Sequence, residues 1–343
     1  MLFGLFKSRS QAPEPPVVAQ AARADALLRE LEWTVIRRLD GLLQGDYRTL
    51  MRGSGLDLAD LREYQHHDDV RHIDWNVTAR LNQPHVRVFT EDREMTAWFL
   101  LDLSPSISFG PEGRAKRDIL TGFVAVLSRL LTRHGNRVGA MLYGGASHQA
   151  ERAVDAVLPP RSSRAHVLHL VHRLLTPPAP ATGTSKPGGG ATELHRLLQT
   201  GLANLRRRST VFVVSDFISA PGWEKPLAQL AQRHDVVAVR LLDPLELELP
   251  DVGLITLRDA ESGEQLQVDT HDAGFRRRFA RLAAEREAVL REGLTRAGAD
   301  TLELCTDDDL VDALLRFMDL RQRRVRTSRA APSRAADPAQ HAA

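Results

Sequence analysis

Leu100-Leu101-Asp102-Leu103-Ser104-Pro105-Ser106 closes an uncharged apolar run with a carboxylate and two hydroxyls at alternate positions. A short apolar run that stops in polar groups reads as a strand buried on both faces, as in a parallel sheet, with its carboxyl end offered to a ligand. On a straight strand Asp102, Ser104 and Ser106 would share a face but span about 13 Å. An octahedral magnesium sphere is much narrower, with oxygens at about 2.1 Å. The chain is therefore expected to curl just after Asp102, and Pro105, which has no ladder N–H, is placed to end the strand. The groups are all hard oxygens, which suit Mg²⁺ or Mn²⁺ and not zinc. Taken alone, the stretch also reads as a strand end whose serines cap the next helix.

Two later segments repeat the theme. Ser209-Thr210-Val211-Phe212-Val213-Val214-Ser215-Asp216 runs from a polar start through a β-branched core to a terminal carboxylate. Between the two strands, Gly188-Gly189-Gly190-Ala191-Thr192-Glu193-Leu194 closes a Pro/Gly/Ser/Thr-rich loop and opens a helix, so Thr192 reads either as an N-cap or as a third oxygen ligand. Ligands of open α/β sheets gather at carboxyl strand ends near the point where strand order reverses. That is where these three segments are expected to meet.

Asp102-Leu103-Ser104-Pro105-Ser106, then Thr192, then Asp216 resemble the metal-ion-dependent adhesion site of von Willebrand factor A-like domains. A second block, L-R-E-Y-Q-H-H-D-D-V-R-H-I-D-W-N-V-T-A-R from Leu61 to Arg80, followed by V-R-V-F-T-E-D-R-E from Val86 to Glu94, resembles the bacterial domain-of-unknown-function family fifty-eight. Proteins of that family are often found beside MoxR-type AAA+ ATPases. The resemblance spans roughly Tyr47 to Leu320, and Asp243-Pro244-Leu245-Glu246 also matches it. It implies that Ser104, Ser106 and Thr192 approach a metal directly while Asp216 acts through water, with Asp102 as the remaining acidic member. Two departures stand out: His67 replaces a usual Gly before Asp68-Asp69, and Ala191 replaces the Gly before the threonine. Neither removes an oxygen from the site.

A chain of 343 residues, 43% hydrophobic, can bury one sizeable core. A net charge of +2 with both signs spread throughout argues against a dedicated nucleic-acid binder. Cys305 is alone, so no internal disulfide forms, and in T-L-E-L-C-T it reads as strand packing. No stretch approaches the ~20 apolar residues of a membrane span. Met1 to Phe6 is short for a signal sequence, and a cytoplasmic protein is the expectation, with weak membrane contact through that tip as an open alternative.

The expected architecture is α/β, a doubly wound mostly parallel sheet of Rossmann-like type with a small N-terminal β-rich subdomain. Residues 1–20 are read as disordered and 21–93 as a helix (Ala21 to Leu43) plus extended strands. Residues 94–320 form the main domain, which the resemblance makes von Willebrand factor A-like, and 321–343 a basic disordered tail. Within the main domain an edge strand is expected at Ala150 to Val157, and residues 176–190 form a loop.

The run His66-His67-Asp68-Asp69-Val70-Arg71-His72-Ile73-Asp74 could hold a transition metal, but it lacks zinc-binding spacing, and a polar network is preferred. Asp74 with Arg71 or Arg80, and Glu91 with Arg93 or Arg87, are candidate pairs in it. No G-x-S-x-G elbow and no P-loop occur. Where strand-end phosphotransferases carry a second carboxylate, this chain has Ser104.

The resulting expectation is a non-enzymatic module that binds a partner's carboxylate through Mg²⁺. The resemblance makes that partner a MoxR-type AAA+ ATPase and this chain its adaptor or co-chaperone. The alternatives are a metal-dependent hydrolase or phosphotransferase using Asp102 or Asp216, and tethering to RNA or membrane through the arginine tail.

Overall fold

The computed structural model describes residues 17–39, 60–65, 70, 73, 75–88, 95–110, 115–144, 154–176, 192–259 and 264–330. Most of the His66 to Asp74 run, Glu91, Arg93, Ala191 and nearly all of the 176–190 loop therefore lie outside the described residues.

Helix α1, Val17–Leu31, opens the described chain and passes into a π-helical turn at Glu32–Ile36. It starts inside the segment expected to lack structure. Ala24 and Leu28, one helical turn apart, explain why: they are buried against Ala125, Val167 and Val171 of the main domain. Strand β1 (Asp60–Glu63), helix α2 (Trp75–Leu81) and strand β2 (His85–Val88) follow, with β1 and β2 paired antiparallel in a small separate sheet.

The main domain then alternates. Strand β3 (Thr96–Asp102) is followed by helix α3 (Lys116–Arg133), strand β4 (Arg137–Tyr143), strand β5 (Ala156–Arg161) and helix α4 (Arg164–Leu175). Helix α5 (Leu194–Asn204), strand β6 (Thr210–Ser215), helix α6 (Glu224–Arg233) and strand β7 (Asp235–Leu242) continue it. A hairpin of β8 (Leu254–Arg258) and β9 (Gln265–Asp269) interrupts the pattern before helix α7 (Ala273–Ala297), strand β10 (Asp300–Cys305) and helix α8 (Leu310–Ala330).

Six strands form one sheet in the order β10-β7-β6-β3-β4-β5. All neighbours are parallel except β5, which runs antiparallel to β4 at the edge. Strand order reverses at β3, which lies between β4 and β6, so a doubly wound sheet with a switch point is present as expected.

Alternate side chains of each strand feed two cores. Phe99, Leu101, Phe212, Val214, Val237 and Val239 face α3 and α8, where Phe99 stacks on Phe212 at 5.2 Å between ring centres and Phe123 meets both edge-on. Leu100, Met141, Val211 and Val213 face α5, α6 and α7. Gly201 lets α5 press onto β3, since a Cβ there would lie 2.8 Å from Leu100 Cδ2.

Two expectations are corrected. The edge strand lies at Ala156–Arg161, overlapping the expected Ala150 to Val157 span at its last two residues and running four residues past it, while residues 150–153 lie outside the described residues. It includes Pro159 and Pro160, and an edge strand tolerates proline because one side of its backbone makes no ladder bonds. The supposed tail is helical as far as Ala330. Arg321 is buried and donates from Nη2 to both carboxylate oxygens of Asp235 at 2.8 and 2.9 Å, so a distant strand holds a segment whose sequence shows no apolar face.

Candidate functional site

Strand β3 ends at Asp102, and the chain curls at once into a 3₁₀ turn, Pro105–Ser108, with Pro105 at its first position. The curl required for Asp102, Ser104 and Ser106 to converge is thus present. The Ser104 N–H donates to Asp102 Oδ1 at 3.0 Å, and the Ser104 and Ser106 hydroxyls stand 3.2 Å apart. Adjacent oxygens of an octahedron with bonds of about 2.1 Å lie about 3.0 Å apart. The serine pair therefore fits two neighbouring corners of a magnesium sphere.

Strand β6 lies beside β3, with Val214 opposite Leu101, which brings Ser215 and Asp216 to the level of Asp102. Ser215 donates its hydroxyl to Asp102 Oδ2 at 2.6 Å and accepts the Phe217 N–H at 2.9 Å. Phe217 has φ +59°, a left-handed conformation that costs a bulky residue about 1–2 kcal/mol. The turn it makes lets Asp216 Oδ1 accept the Ile218 N–H at 3.0 Å, and Phe217 packs edge-on against Trp223 with 5.2 Å between ring centres.

The backbone at Thr192 is tied to the neighbouring strand ends. Its carbonyl accepts the Ala220 N–H at 2.8 Å, and the N–H of Glu193 donates to the Tyr143 hydroxyl at 3.1 Å. Those anchors belong to the turn after β6 and the end of β4, the two neighbours of β3. The N-cap of α5 is Glu193, so Thr192 is not the helix cap that sequence alone left open.

All five expected residues are buried: Asp102, Ser104, Ser106, Thr192 and Asp216 are each 8% exposed or less. Burial first, and then the charge of Asp216, push the Asp102 carboxyl up to about 6, against hydrogen bonds from Ser215 and Ser104 that pull it down. A carboxylate can accept about four hydrogen bonds or metal contacts, so the contacts on Asp102 and Asp216 leave lone pairs for an ion or its waters.

Among the described residues no three His, Cys, Asp or Glu side chains converge as a metal cluster. The oxygens gathered at these strand ends, from Asp102, Ser104, Ser106 and Asp216, are all hard donors, a set that suits a hard cation better than zinc. The residues present fit Mg²⁺ or Mn²⁺.

Two participants escaped the reading of the sequence. Lys116, wholly buried at the start of α3, donates from Nζ to Asp216 Oδ2 at 2.9 Å and also pairs with Glu246 Oε1. Glu246 sits in a 3₁₀ turn, Pro244–Glu246, just after β7, and its other oxygen accepts the Asp243 N–H at 3.4 Å. Burial pushes the Glu246 carboxyl up, while Lys116 opposes the rise. The signal for Lys116 was visible as a cation in the first turn of a helix, where the macrodipole disfavours it. Cys305 is half-buried and burial raises its thiol, which is against a nucleophilic thiolate. Among the described residues no helix is long and apolar enough to cross a membrane.

Comparison with known proteins places the chain among relatives of equally open function. It is 37% identical over 298 residues to an uncharacterized protein of Mycobacterium bovis, covering 87% of this chain and 90% of that protein. An uncharacterized protein of Mycobacterium avium is 36% identical over 166 residues, covering 48% of this chain and 94% of that one. Among solved structures, the conserved hypothetical protein BatB from Bacteroides thetaiotaomicron aligns with a TM-score of 0.39 at 11% identity, over 67% of this chain and 99% of that one. An aerotolerance-related membrane protein from Bacteroides fragilis aligns with a TM-score of 0.42 at 10% identity, over 67% and 99%. The protein-family description "Protein of unknown function DUF58" matches residues 60–289, a span that includes Asp102, Ser104, Ser106, Thr192 and Asp216, and the chain belongs to that family.

Proposed function

We propose that this protein is a non-enzymatic, metal-dependent protein-binding module. The observation that carries the reading is the 3.2 Å pair of Ser104 and Ser106 hydroxyls, at a switch point whose strands end in the buried carboxylates Asp102 and Asp216. Ser104, Ser106 and Thr192 offer neutral oxygens, and the two carboxylates would hold the ion or its waters. Bound in such a shell, Mg²⁺ or Mn²⁺ keeps much of its charge and attracts an acidic side chain as a further ligand.

Asp102 is held by donors on both oxygens, Ser104 N–H and Ser215 Oγ. That speaks against its use as a nucleophile and for a positioning role. Around the site, Phe109, Ile218 and Leu245 are 38%, 46% and 40% exposed, on the turns that follow β3, β6 and β7. Apolar side chains on these turns suit a protein partner, since exposed apolar groups gathered at one place mark interaction surfaces. The family resemblance makes a MoxR-type AAA+ ATPase the partner of choice, with this chain as adaptor or co-chaperone.

The test is association of the purified chain with such an ATPase, followed by calorimetry with Mg²⁺ and with EDTA. Binding should vanish in EDTA and in Ser104→Ala or Thr192→Ala. Association that persists through both treatments removes the mechanism.

A further inference from the structure

Lys116 touches the site directly, and nothing in helix α3 asks for it. A lysine at the first helical position opposes the helix dipole, and a side chain with no exposure gives up all its hydration. Its ammonium lies between Asp216 Oδ2, at 2.9 Å, and Glu246 Oε1, and 5.9 Å from the centre of the Phe109 ring. Three elements meet there: the start of α3, the end of β6 and the turn after β7.

We propose that Lys116 is a built-in counter-cation of the site, which competes with a divalent ion for Asp216 and so sets how tightly that ion is held. This rests on the metal-binding reading above and specifies its regulation. Asp102, Asp216 and Glu246 set against Lys116 leave two uncompensated negative charges when all are ionised, the amount that one divalent cation neutralises. Glu246 gives the ammonium a second place to stay when Asp216 turns toward an ion. Lysine suits such a part because its head is a compact charge on a flexible stem, where the planar fork of arginine would lock Asp216.

Removing the ammonium deepens the local negative charge and frees Asp216. Removing the charge of Glu246 does the reverse, and leaves Lys116 wholly to Asp216. The two changes therefore shift metal affinity in opposite directions.

The test uses the full chain stripped with EDTA and desalted, titrated with Mn²⁺ while free Mn²⁺ is read by electron paramagnetic resonance. Lys116→Met should bind Mn²⁺ about tenfold or more tightly than the natural chain, and Glu246→Gln more weakly, by the Coulomb effect of one nearby charge. The gain from Lys116→Met should disappear on an Asp216→Asn background. Unchanged or weaker binding in Lys116→Met, while Ser104→Ala loses binding, overturns the role of Lys116 and leaves the metal site standing. Mn²⁺ held equally by the natural chain, Ser104→Ala and Lys116→Met, or by none of them, overturns both. Binding by Lys116→Met alone supports the inference in its strongest form. Should Lys116→Met fail to fold, Glu246→Gln decides: weaker binding supports the competition, and equal or tighter binding overturns it.

Discussion

Two buried cations, one at each end of the same sheet, hold two carboxylates apiece by different means. At the amino end of β7, Arg321 reaches Asp235 through two bonds at 2.8 and 2.9 Å and Asp300 at 3.5 Å. At the carboxyl end of β6, Lys116 reaches Asp216 and Glu246 with a single ammonium. The guanidinium fork fixes its partners in one geometry and fastens α8 to the sheet. The ammonium is a point charge that keeps its hold while its neighbours rotate. Similar burial thus serves rigidity at one end and adjustable charge at the other.

Removing each cation in turn puts this contrast under the greatest load. Arg321→Met should cost about 3 kcal/mol in urea denaturation, because the half-buried carboxylates Asp235 and Asp300 lose the cation they share, and added Mg²⁺ should recover none of it. Lys116→Met should cost a similar amount in EDTA, but Mg²⁺ should restore most of the loss. Equal responses of the two variants to Mg²⁺ would show that the ends do not differ in kind.

The next effect belongs to Asp102. Its folded carboxyl titrates at about 6 against an ordinary 3.8, so the stability it allows below about pH 4 is lost as pH rises through about 6. The loss amounts to about 3 kcal/mol once the group is fully ionised. Asp102→Asn should abolish it, and about 2 kcal/mol of the loss falls between pH 4.5 and 7.5, read as the difference between variant and natural chain in urea with EDTA present. His166 and His234, lowered mainly by burial, act in the opposite direction and cancel in that difference.

Ser215→Ala should cost about 2 kcal/mol by removing a donor to a charged, buried partner. Arg281 and Glu285 form an exposed helical pair on α7, 68% and 64% accessible, and Arg281→Gln should change stability by about 0.3 kcal/mol. That variant is the surface reference against which both buried cations are judged.

Strands β3 and β6 and their terminal carboxylates were legible because an uncharged apolar run ending in Asp leaves few other readings. Ser104 and Ser106 were legible too, since the curl after Asp102 follows from Pro105 and the size of an ion. Lys116 shows in sequence only as an ill-placed helix-start cation; its part in the site does not, because a search for oxygen donors passes over a nitrogen cation, and its partners Asp216 and Glu246 lie 100 and more residues away. The helical course of α8 past Arg321 was hidden for the same reason: its anchor, Asp235, lies 86 residues upstream. The span expected for β5 stopped short of Pro159 and Pro160, because proline is foreign to a central strand, yet the outer rim of a sheet accepts it. Local pattern identified what the strands carry, and non-local charge determined what they touch.

The two prolines of β5 also make the sheet one-sided. A newcomer strand seeking amide donors would find one missing, since of the adjacent Pro159 and Pro160 one turns its backbone to the open side, while β10 on the far flank carries no proline. Fibril-like stacking of one copy onto the next needs both flanks to be receptive. This protein has blunted one of them, so repetitive sheet-to-sheet growth is checked by an imino acid at the rim.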